Sequence, residues 1–277
     1  MSPDMFAHPF LVMGLVLALA TTGAFAGTMA GMFGVGGGII IVPVLSEILR
    51  LLDVPYAAAM PVAVATSLAT IVPTSLAALR THARHGAIDL AILRVWGPVI
   101  VVGALIGSLL TNYVHGQFIS LIFGGLILLT AYRFWRHTAS DGVTGTMPHP
   151  AVQRLLAGVI GGISALLGLG GGLIGVAVLR HCGFTLHRAI GTASNFGYMV
   201  AIPGVIVYLL SPAPTAIPYG TIGLVHPMMV GLLLPGAVIC APLGARLAHR
   251  LPVAPLQTGF AIVLLVLGCK MVVASLF

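Results

Sequence analysis

Charged residues are scarce in this chain. Of its 277 residues only 6% are Asp, Glu, Lys or Arg, whereas 59% are hydrophobic. A soluble domain carries about 25% charged residues, so a chain of this composition would precipitate from water. The apolar runs are long, and the strict apolar–polar alternation of membrane β-strands is lacking. We therefore predict an all-α integral membrane protein, consistent with a mean hydropathy of +1.14.

Motifs that carry chemistry are also lacking. The three cysteines, Cys182, Cys240 and Cys269, are isolated and form no C-x-x-C motif, which argues against a disulfide framework and against a zinc site. There is no H-E-x-x-H, G-x-S-x-G or G-K-[ST] sequence, and no βαβ context surrounds the glycine clusters as a dinucleotide-binding site would need. The formal net charge of +7 is scattered along the chain rather than clustered. We predict no enzymatic activity, no metal, no cofactor and no nucleic acid partner.

What the chain does contain is a series of ten apolar segments. A membrane-spanning helix needs about 20 residues, and most of the segments meet this length. The two short ones, 36–50 and 171–182, each follow a glycine cluster. The start "MSPDMFAHPF" lacks the basic residues of a secretory signal, so the first segment is expected to be retained. The segments lie at roughly 9–31, 36–50, 56–79, 90–111, 117–135, 152–168, 171–182, 187–210, 222–246 and 255–276.

The two halves of the chain resemble each other. A polar linker at 136–150 separates a first membrane repeat, 1–135, from a second, 151–277. Several short matches occur in the same order in both halves, with an offset of about 126 to 137 residues. They include "GVGGGIIIVPVL" with "GLGGGLIGVAVL", "AVATS" with "AIGTA", and "HGAIDL" with "YGTIGL". We predict an internal duplication.

The basic residues orient the segments. Ten of the twelve lie beside the loops after segments three, five, seven and nine, and the loops after segments four and eight have none. Basic loops remain cytoplasmic, so both termini are predicted to be periplasmic and the linker cytoplasmic. If the two segments on either side of each glycine cluster formed one span, the chain would have eight spans. The arginines of the second half would then lie on the periplasmic side. Five crossings per half make the two halves inverted repeats, although a re-entrant hairpin has the same parity as two spans.

The glycine clusters are the most informative feature. Small residues let membrane helices approach closely, which is the simpler explanation of one cluster. Adjacent glycines also favour a helix break, and the N–H groups of the helix that follows attract anions. Two clusters at equivalent positions of inverted repeats are typical of a transporter's substrate site. Pro43 stands where the second copy has Ala177, so the first short helix is expected to be the less regular one.

Polar residues follow each glycine cluster in the next segment. Hydroxyl and amide groups can donate hydrogen bonds to an oxyanion, although in membrane helices they often bond to their own backbone. Near the segment ends, Glu47 and Arg50 are expected to form a surface ion pair, and His226 to cap a helix or lie at the interface. The predicted substrate-binding residues are Gly36, Gly37, Gly38, Thr66, Ser67, Gly170, Gly171, Gly172, Thr192, Ser194 and Asn195.

These motifs resemble the TauE/SafE family of sulfite and organosulfonate exporters, which is grouped with toluene-sulfonate uptake permeases. The resemblance rests on "GMFGVGGGIIIVPVL", "TSLATI" and "HARHGAIDL", repeated as "GLGGGLIGVAVL" and "AIGTASNFGY". It implies a bacterial inner-membrane transporter of small sulfur-containing anions. The second half departs from the first, because Ala193 replaces Ser67 and "AIPYGTIG" replaces the H-x-x-x-G element.

We therefore predict a secondary transporter that moves a small sulfur-containing oxyanion by alternating access. Its expected partners are the anion, the lipid bilayer, a coupling ion such as a proton or sodium, and further copies of the chain in a homo-oligomer. A passive anion channel on the same scaffold is the alternative. A membrane enzyme is disfavoured, because the sequence shows no nucleophile or metal-binding set.

Overall fold

The protein is a bundle of α-helices. The computed structural model describes residues 9–34, 36–84, 88–136, 145, 147–212, 220–248 and 253–276. Within them it has eleven helices and no strand beyond an isolated bridge between Ile222 and Val225. The helices are α1 (Pro9–Phe33), α2 (Gly38–Leu51), α3 (Tyr56–Arg84), α4 (Leu90–Leu110), α5 (Gly116–Arg136), α6 (Pro150–Leu166), α7 (Gly172–His181), α8 (Leu186–Ala193), α9 (Phe196–Leu210), α10 (Pro227–Ala248) and α11 (Val253–Leu276).

This architecture confirms the all-α membrane protein. Seven helical stretches are long and apolar enough to cross a bilayer, one of them formed by α8 and α9 together. Large apolar side chains such as Leu17, Ile106 and Val266 are exposed on the outer helices, as expected for a surface that faces lipid. The helix α2 has 14 residues and is therefore about 21 Å long, shorter than the roughly 30 Å apolar core of a membrane.

Three sequence-based expectations need correction. The segment 187–210 is not one helix, because the helical path is interrupted at Ser194 and Asn195. Residues 222–226 do not belong to the ninth segment's helix but form a turn with the bridge that precedes α10. Pro43 lies inside α2 without ending it, and α2, with 14 residues, is longer than α7, with 10. Proline lacks an N–H, but neighbouring groups can replace one lost bond in a membrane helix.

Two helix pairs, α1 with α10 and α4 with α6, each join one half of the chain to the other. A Cβ added to Gly23 would lie 2.1 Å from the carbonyl oxygen of Leu233, and one added to Gly27 would lie 2.3 Å from that of Ala237. Gly103 and Gly107 of α4 approach Gly158 and Gly162 of α6 in the same way. In both pairs the residue numbers rise together, so the helices run parallel. Glycine permits this approach because it has no side chain.

The helices α5 and α11 run in opposite directions, and so do α3 and α9. In the α5–α11 pair, Ser120 donates to the carbonyl of Met271 at 3.3 Å, and Gly124 lies beside Gly268 further along α5. Between α3 and α9, Leu68 lies at Gly204 and Ser75 at Gly197. An eight-span chain would make α5 and α11 parallel, whereas ten crossings make them antiparallel. The packing therefore agrees with the ten-crossing count, while the duplication and its inversion stay predictions.

Gly27→Ala should destabilise the protein by about 1–3 kcal/mol, because the new methyl group meets the α10 backbone rather than a flexible side chain. Gly14→Ala is the matched control, because it lies in the same helix and a Cβ there meets nothing within 4 Å. Thermal unfolding in detergent measures both. Equal melting temperatures for the two variants would show that close α1–α10 contact does not hold the fold together.

Candidate functional site

The two glycine clusters lie against each other inside the molecule. We call the residues around 34–38 the first glycine segment and those at 168–172 the second. A Cβ on Gly36 would lie 3.3 Å from Cα of Gly170, and a Cβ on Gly38 would lie 2.2 Å from the carbonyl oxygen of Gly168. The segments are thus in backbone-to-backbone contact although more than 130 residues separate them in the chain. The six glycines predicted from the sequence belong to these two segments.

A helix begins at the last residue of each glycine segment, and no side chain caps its N-terminus. Gly37 precedes α2 with φ 71°, and Gly171 precedes α7 with φ 70°; neither position provides a capping side chain. This left-handed conformation favours glycine strongly. The first N–H groups of an α-helix lack partners within the helix and carry the positive end of its dipole. Two such helix ends therefore begin from the same buried region.

Ser67 ties the third helix to the second glycine segment. Its Oγ donates to the carbonyl of Gly168 at 2.9 Å, and the side chain is fully buried. This bond joins residues from the two halves and helps to hold the second segment at Gly168, which has φ 70°. The hydroxyl predicted to bind substrate thus has a protein partner in this structure.

Thr66 and Thr192 make the same hydrogen bond in the two halves. The Oγ1 of Thr66 accepts from the backbone N–H of His226 at 3.1 Å, and that of Thr192 accepts from the N–H of Asp89, also at 3.1 Å. His226 and Asp89 are the residues immediately before α10 and α4, and both accept hydrogen bonds from the helix that follows. The structure therefore makes Asp89 the counterpart of His226. The match of "HGAIDL" with "YGTIGL" instead aligns Asp89 with Gly223, three residues earlier. The capping role predicted for His226 is confirmed.

Ser194 and Asn195 lie at the break between α8 and α9. The Oγ of Ser194 donates to the carbonyl of Ile190 at 2.7 Å, and Nδ2 of Asn195 donates to that of Gly191 at 2.9 Å. Both side chains are buried. A Cβ on Gly34 would lie 3.5 Å from the Oγ of Ser194, so the break also faces the first glycine segment.

A small cleft opens beside the first glycine segment. It lies between α1, α2, α3 and α10, and Thr74 is the one residue of its lining that carries a hydroxyl group. That hydroxyl donates to the carbonyls of Thr70 at 3.0 Å and Ile71 at 3.1 Å within its own helix. The lining residues are Ala26, Gly27, Ala30, Gly36, Gly37, Ile41, Thr74 and Ala237.

Charged side chains lie away from this centre. Among the described residues, no Asp, Glu, Lys or Arg is buried. Arg188 binds Asp89 at 2.7 Å, at the loop between α3 and α4. Near the other end of α3, the predicted pair of Glu47 and Arg50 is confirmed, and Lys270 joins it by binding Glu47 at 3.0 Å. The centre thus offers backbone and neutral polar groups rather than fixed charge.

Other functional contacts have no obvious sequence signal. Tyr208 is fully buried, and its hydroxyl donates to the carbonyl of Ala165 at 2.8 Å while it lies 2.8 Å from Oγ1 of Thr111. Asn112 donates to Ser211 at 3.0 Å in the same part of the molecule. The Thr111–Tyr208 and Asn112–Ser211 contacts join the two halves near the ends of α4 and α9. Their partners are about 97 to 99 residues apart in sequence, so local patterns do not connect them.

Comparison with known proteins agrees with this architecture. The family model described as "Sulfite exporter TauE/SafE" matches residues 19–271. A "Probable membrane transporter protein" of Haemophilus influenzae is 32% identical, over 92% of this chain and 97% of its own. "Probable membrane transporter protein YunE" of Bacillus subtilis is 24% identical, over 94% of this chain and 98% of its own. No solved structure gives a significant match.

Thr192→Val should lower stability by roughly 1–3 kcal/mol, because it leaves the partly buried N–H of Asp89 without its acceptor. Thr66→Val should do the same at His226. Thr70→Val is the control, since the Thr70 hydroxyl donates only to its own helix, at the carbonyl of Thr66. Unfolding in detergent gives the three stabilities. If Thr70→Val lowers the unfolding free energy as much as the other two substitutions do, the repeated bond between the halves does not stabilise the protein more than a bond within one helix.

Proposed function

This chain belongs to the sulfite exporter TauE/SafE family of membrane transporters, and we propose that it moves a small sulfur-containing oxyanion, such as sulfite or a sulfonate. The observation that carries the proposal is the meeting of two uncapped helix starts, at Gly38 and Gly172, in a buried centre. Helix N-termini bind anions through backbone N–H groups and the helix dipole. In transporters such half-helix ends point at anionic substrate groups.

The neutral character of the centre suits an anion that must also leave. A buried positive side chain would hold an anion strongly, whereas N–H and hydroxyl donors hold it through several weaker bonds. We propose that the backbone of Gly36 to Gly38 and of Gly170 to Gly172 holds the anionic group. The remaining shell comprises Thr66, Ser67, Thr192, Ser194 and Asn195.

The hydroxyl and amide groups of this shell have protein partners here. Ser67 donates to Gly168, Ser194 to Ile190, and Asn195 to Gly191. In the proposed cycle these groups exchange their carbonyl acceptors for the substrate as it enters. Such an exchange leaves the number of hydrogen bonds nearly constant, so it requires little free energy.

The proposed alternating access is supported by two helix pairs that each join the halves. In the pairs α1–α10 and α4–α6, glycines touch the facing backbone, and such tight packing favours movement of each pair as one unit. We propose that these pairs move against the central helices α3 and α9. The Asp89–Arg188 pair and the Asn112–Ser211 bond each connect the two halves, at opposite ends of α4. Alternate opening of these two connections would expose the centre to one side at a time.

The proposed setting is the bacterial inner membrane, with both termini in the periplasm and the 136–150 linker in the cytoplasm. Basic residues beside the linker and beside the loops that follow α3, α7 and α10 support this orientation. Most of the linker lies outside the described residues. A coupling proton or sodium ion and a homo-oligomeric state remain part of the proposal.

In proteoliposomes the wild-type chain should take up ³⁵S-sulfite with a rate that saturates as the sulfite concentration rises. In the double variant Gly37→Ala/Gly171→Ala the uptake rate should fall at least about tenfold. Alanine disfavours a positive φ, so the backbone changes and the N–H groups of the first turn shift. Gly220→Ala is the matched control. Gly220 also has a positive φ, 83°, but a Cβ there meets nothing within 4 Å.

Two results would contradict this proposal. Wild-type rates from a folded double variant would exclude the glycine segments as the substrate site. A flux that grows linearly with sulfite concentration in the wild type would favour the passive channel instead.

The orientation has its own test. Alkaline phosphatase fused after Phe277 should be active, because it folds in the periplasm, whereas green fluorescent protein fused there should not fluoresce. Green fluorescent protein fused after Arg136 should fluoresce, since that position ends the first half on the cytoplasmic side. A fluorescent fusion at Phe277 would mean that the number of crossings is odd or that the chain is reversed.

A further inference from the structure

Ser164 is an exception among the buried hydroxyl groups. Other buried serines and threonines of the described residues have a hydrogen-bond partner, and most donate to a carbonyl three or four positions back in their own helix. The Oγ of Ser164 is fully buried and has no partner. Buried polar groups in native proteins are nearly always satisfied by protein, water or a ligand. Ser164 therefore carries an unused donor inside the membrane protein.

The position of Ser164 in α6 corresponds to that of Ala30 in α1. Ser164 precedes Gly170 by the same number of residues as Ala30 precedes Gly36. The packing supports this equivalence in space. Gly161, one turn before Ser164, lies against the carbonyl of Ile100, just as Gly27, one turn before Ala30, lies against that of Ala237.

Ala30 lines the cleft at the first glycine segment, together with Gly36 and Gly37. By the same equivalence, Ser164 is assigned to the corresponding region at the second segment, beside Gly170 and Gly171. There, a Cβ on Gly171 would lie 3.3 Å from Val200, which stands where the first cleft has Thr74. The equivalence thus assigns the unused hydroxyl and the start of α7 to the same region.

The two halves differ in which groups are available. In the first cleft the hydroxyl of Thr74 is occupied by the carbonyls of its own helix. In the second half the hydroxyl of Ser164 is unoccupied, and the N-terminal turn of α7 has no side-chain cap. The second half thus combines a free O–H donor with uncapped N–H groups.

We propose that Ser164 donates a hydrogen bond to the oxyanion group of the substrate, so that the anion is held chiefly by the second glycine segment. This inference rests on the proposed function, since it names a residue of the same site. It also assigns unequal roles to the two segments: the Ser164 side binds the charged oxygens, and with a sulfonate the Ala30 side contacts the apolar group.

The test compares Ser164→Ala with Ser108→Ala in detergent-purified protein. Ser108 is also fully buried, in α4, but its Oγ donates to the carbonyl of Ala104 at 2.7 Å. Binding of sodium sulfite and of methanesulfonate is measured by titration calorimetry, and the melting temperature is measured without ligand. Ser164→Ala should weaken binding by about tenfold or more, as expected for one hydrogen bond to a charged group. Its melting temperature should stay equal or rise, because the change removes an unpaired buried group. Ser108→Ala should bind as the wild type does.

The outcomes separate this inference from the proposed function. If the wild type binds neither anion, the proposed function and the role of Ser164 fail together. If the wild type binds and Ser164→Ala binds equally well, only the role of Ser164 is overturned. A Ser164→Ala protein that melts well below the wild type and below Ser108→Ala would assign the hydroxyl a structural role and overturn the inference. Gain of affinity in Ala30→Ser would instead show that the first segment binds the anion, which also overturns it.

Discussion

Satisfaction of backbone polar groups without water is the constraint on which this structure depends. A helix that ends inside a membrane exposes N–H or C=O groups, and such ends are tolerated only where protein or a polar cavity surrounds them. Here α1 and α6 both end near glycines with positive φ, at Gly34 and Gly168. The two broken segments then lie against each other, with Gly36 beside Gly170. The backbone at each break is therefore covered by the other break, and neither break would be stable if it faced lipid.

The same need for close approach explains the glycine-rich helix pairs. Lipid tails are as apolar as leucine, so helices associate in membranes through tight packing rather than through the hydrophobic effect. The α1–α10 and α4–α6 pairs achieve this with glycines that touch the facing backbone. Because each pair joins the two halves, neither half can surround its own glycine segment without the other. The fold and the central site consequently depend on the same two helix pairs, α1–α10 and α4–α6.

Sequence reasoning succeeded where the signal was periodic or repeated. Apolar length and composition predicted the membrane fold, and the match of "AVATS" with "AIGTA" paired Thr66 with Thr192, which accept the same kind of hydrogen bond. It failed at Ser194 and Asn195, because no glycine or proline marks the break and both residues also occur within helices. It misaligned Asp89 by three residues, since the loops before α4 and α10 differ in length and only their hydrogen bonds to threonine reveal the match. Partners such as Tyr208 and Ala165 depend on tertiary packing that local patterns do not encode.

Similar folding of the two halves does not imply similar chemistry. A transporter built from repeats needs both copies to form its gates, but a sulfonate carries its charge at one end and requires most hydrogen-bond donors on one side of the site. The hydrogen bonds that recur, from Thr66 and Thr192 to the start of a helix in the other half, serve the architecture and are the same in both copies. The residues that differ, Ala30 against Ser164 and Thr74 against Val200, lie beside the glycine segments instead. Divergence at these positions can thus change what is bound without disturbing the contacts that hold the halves together.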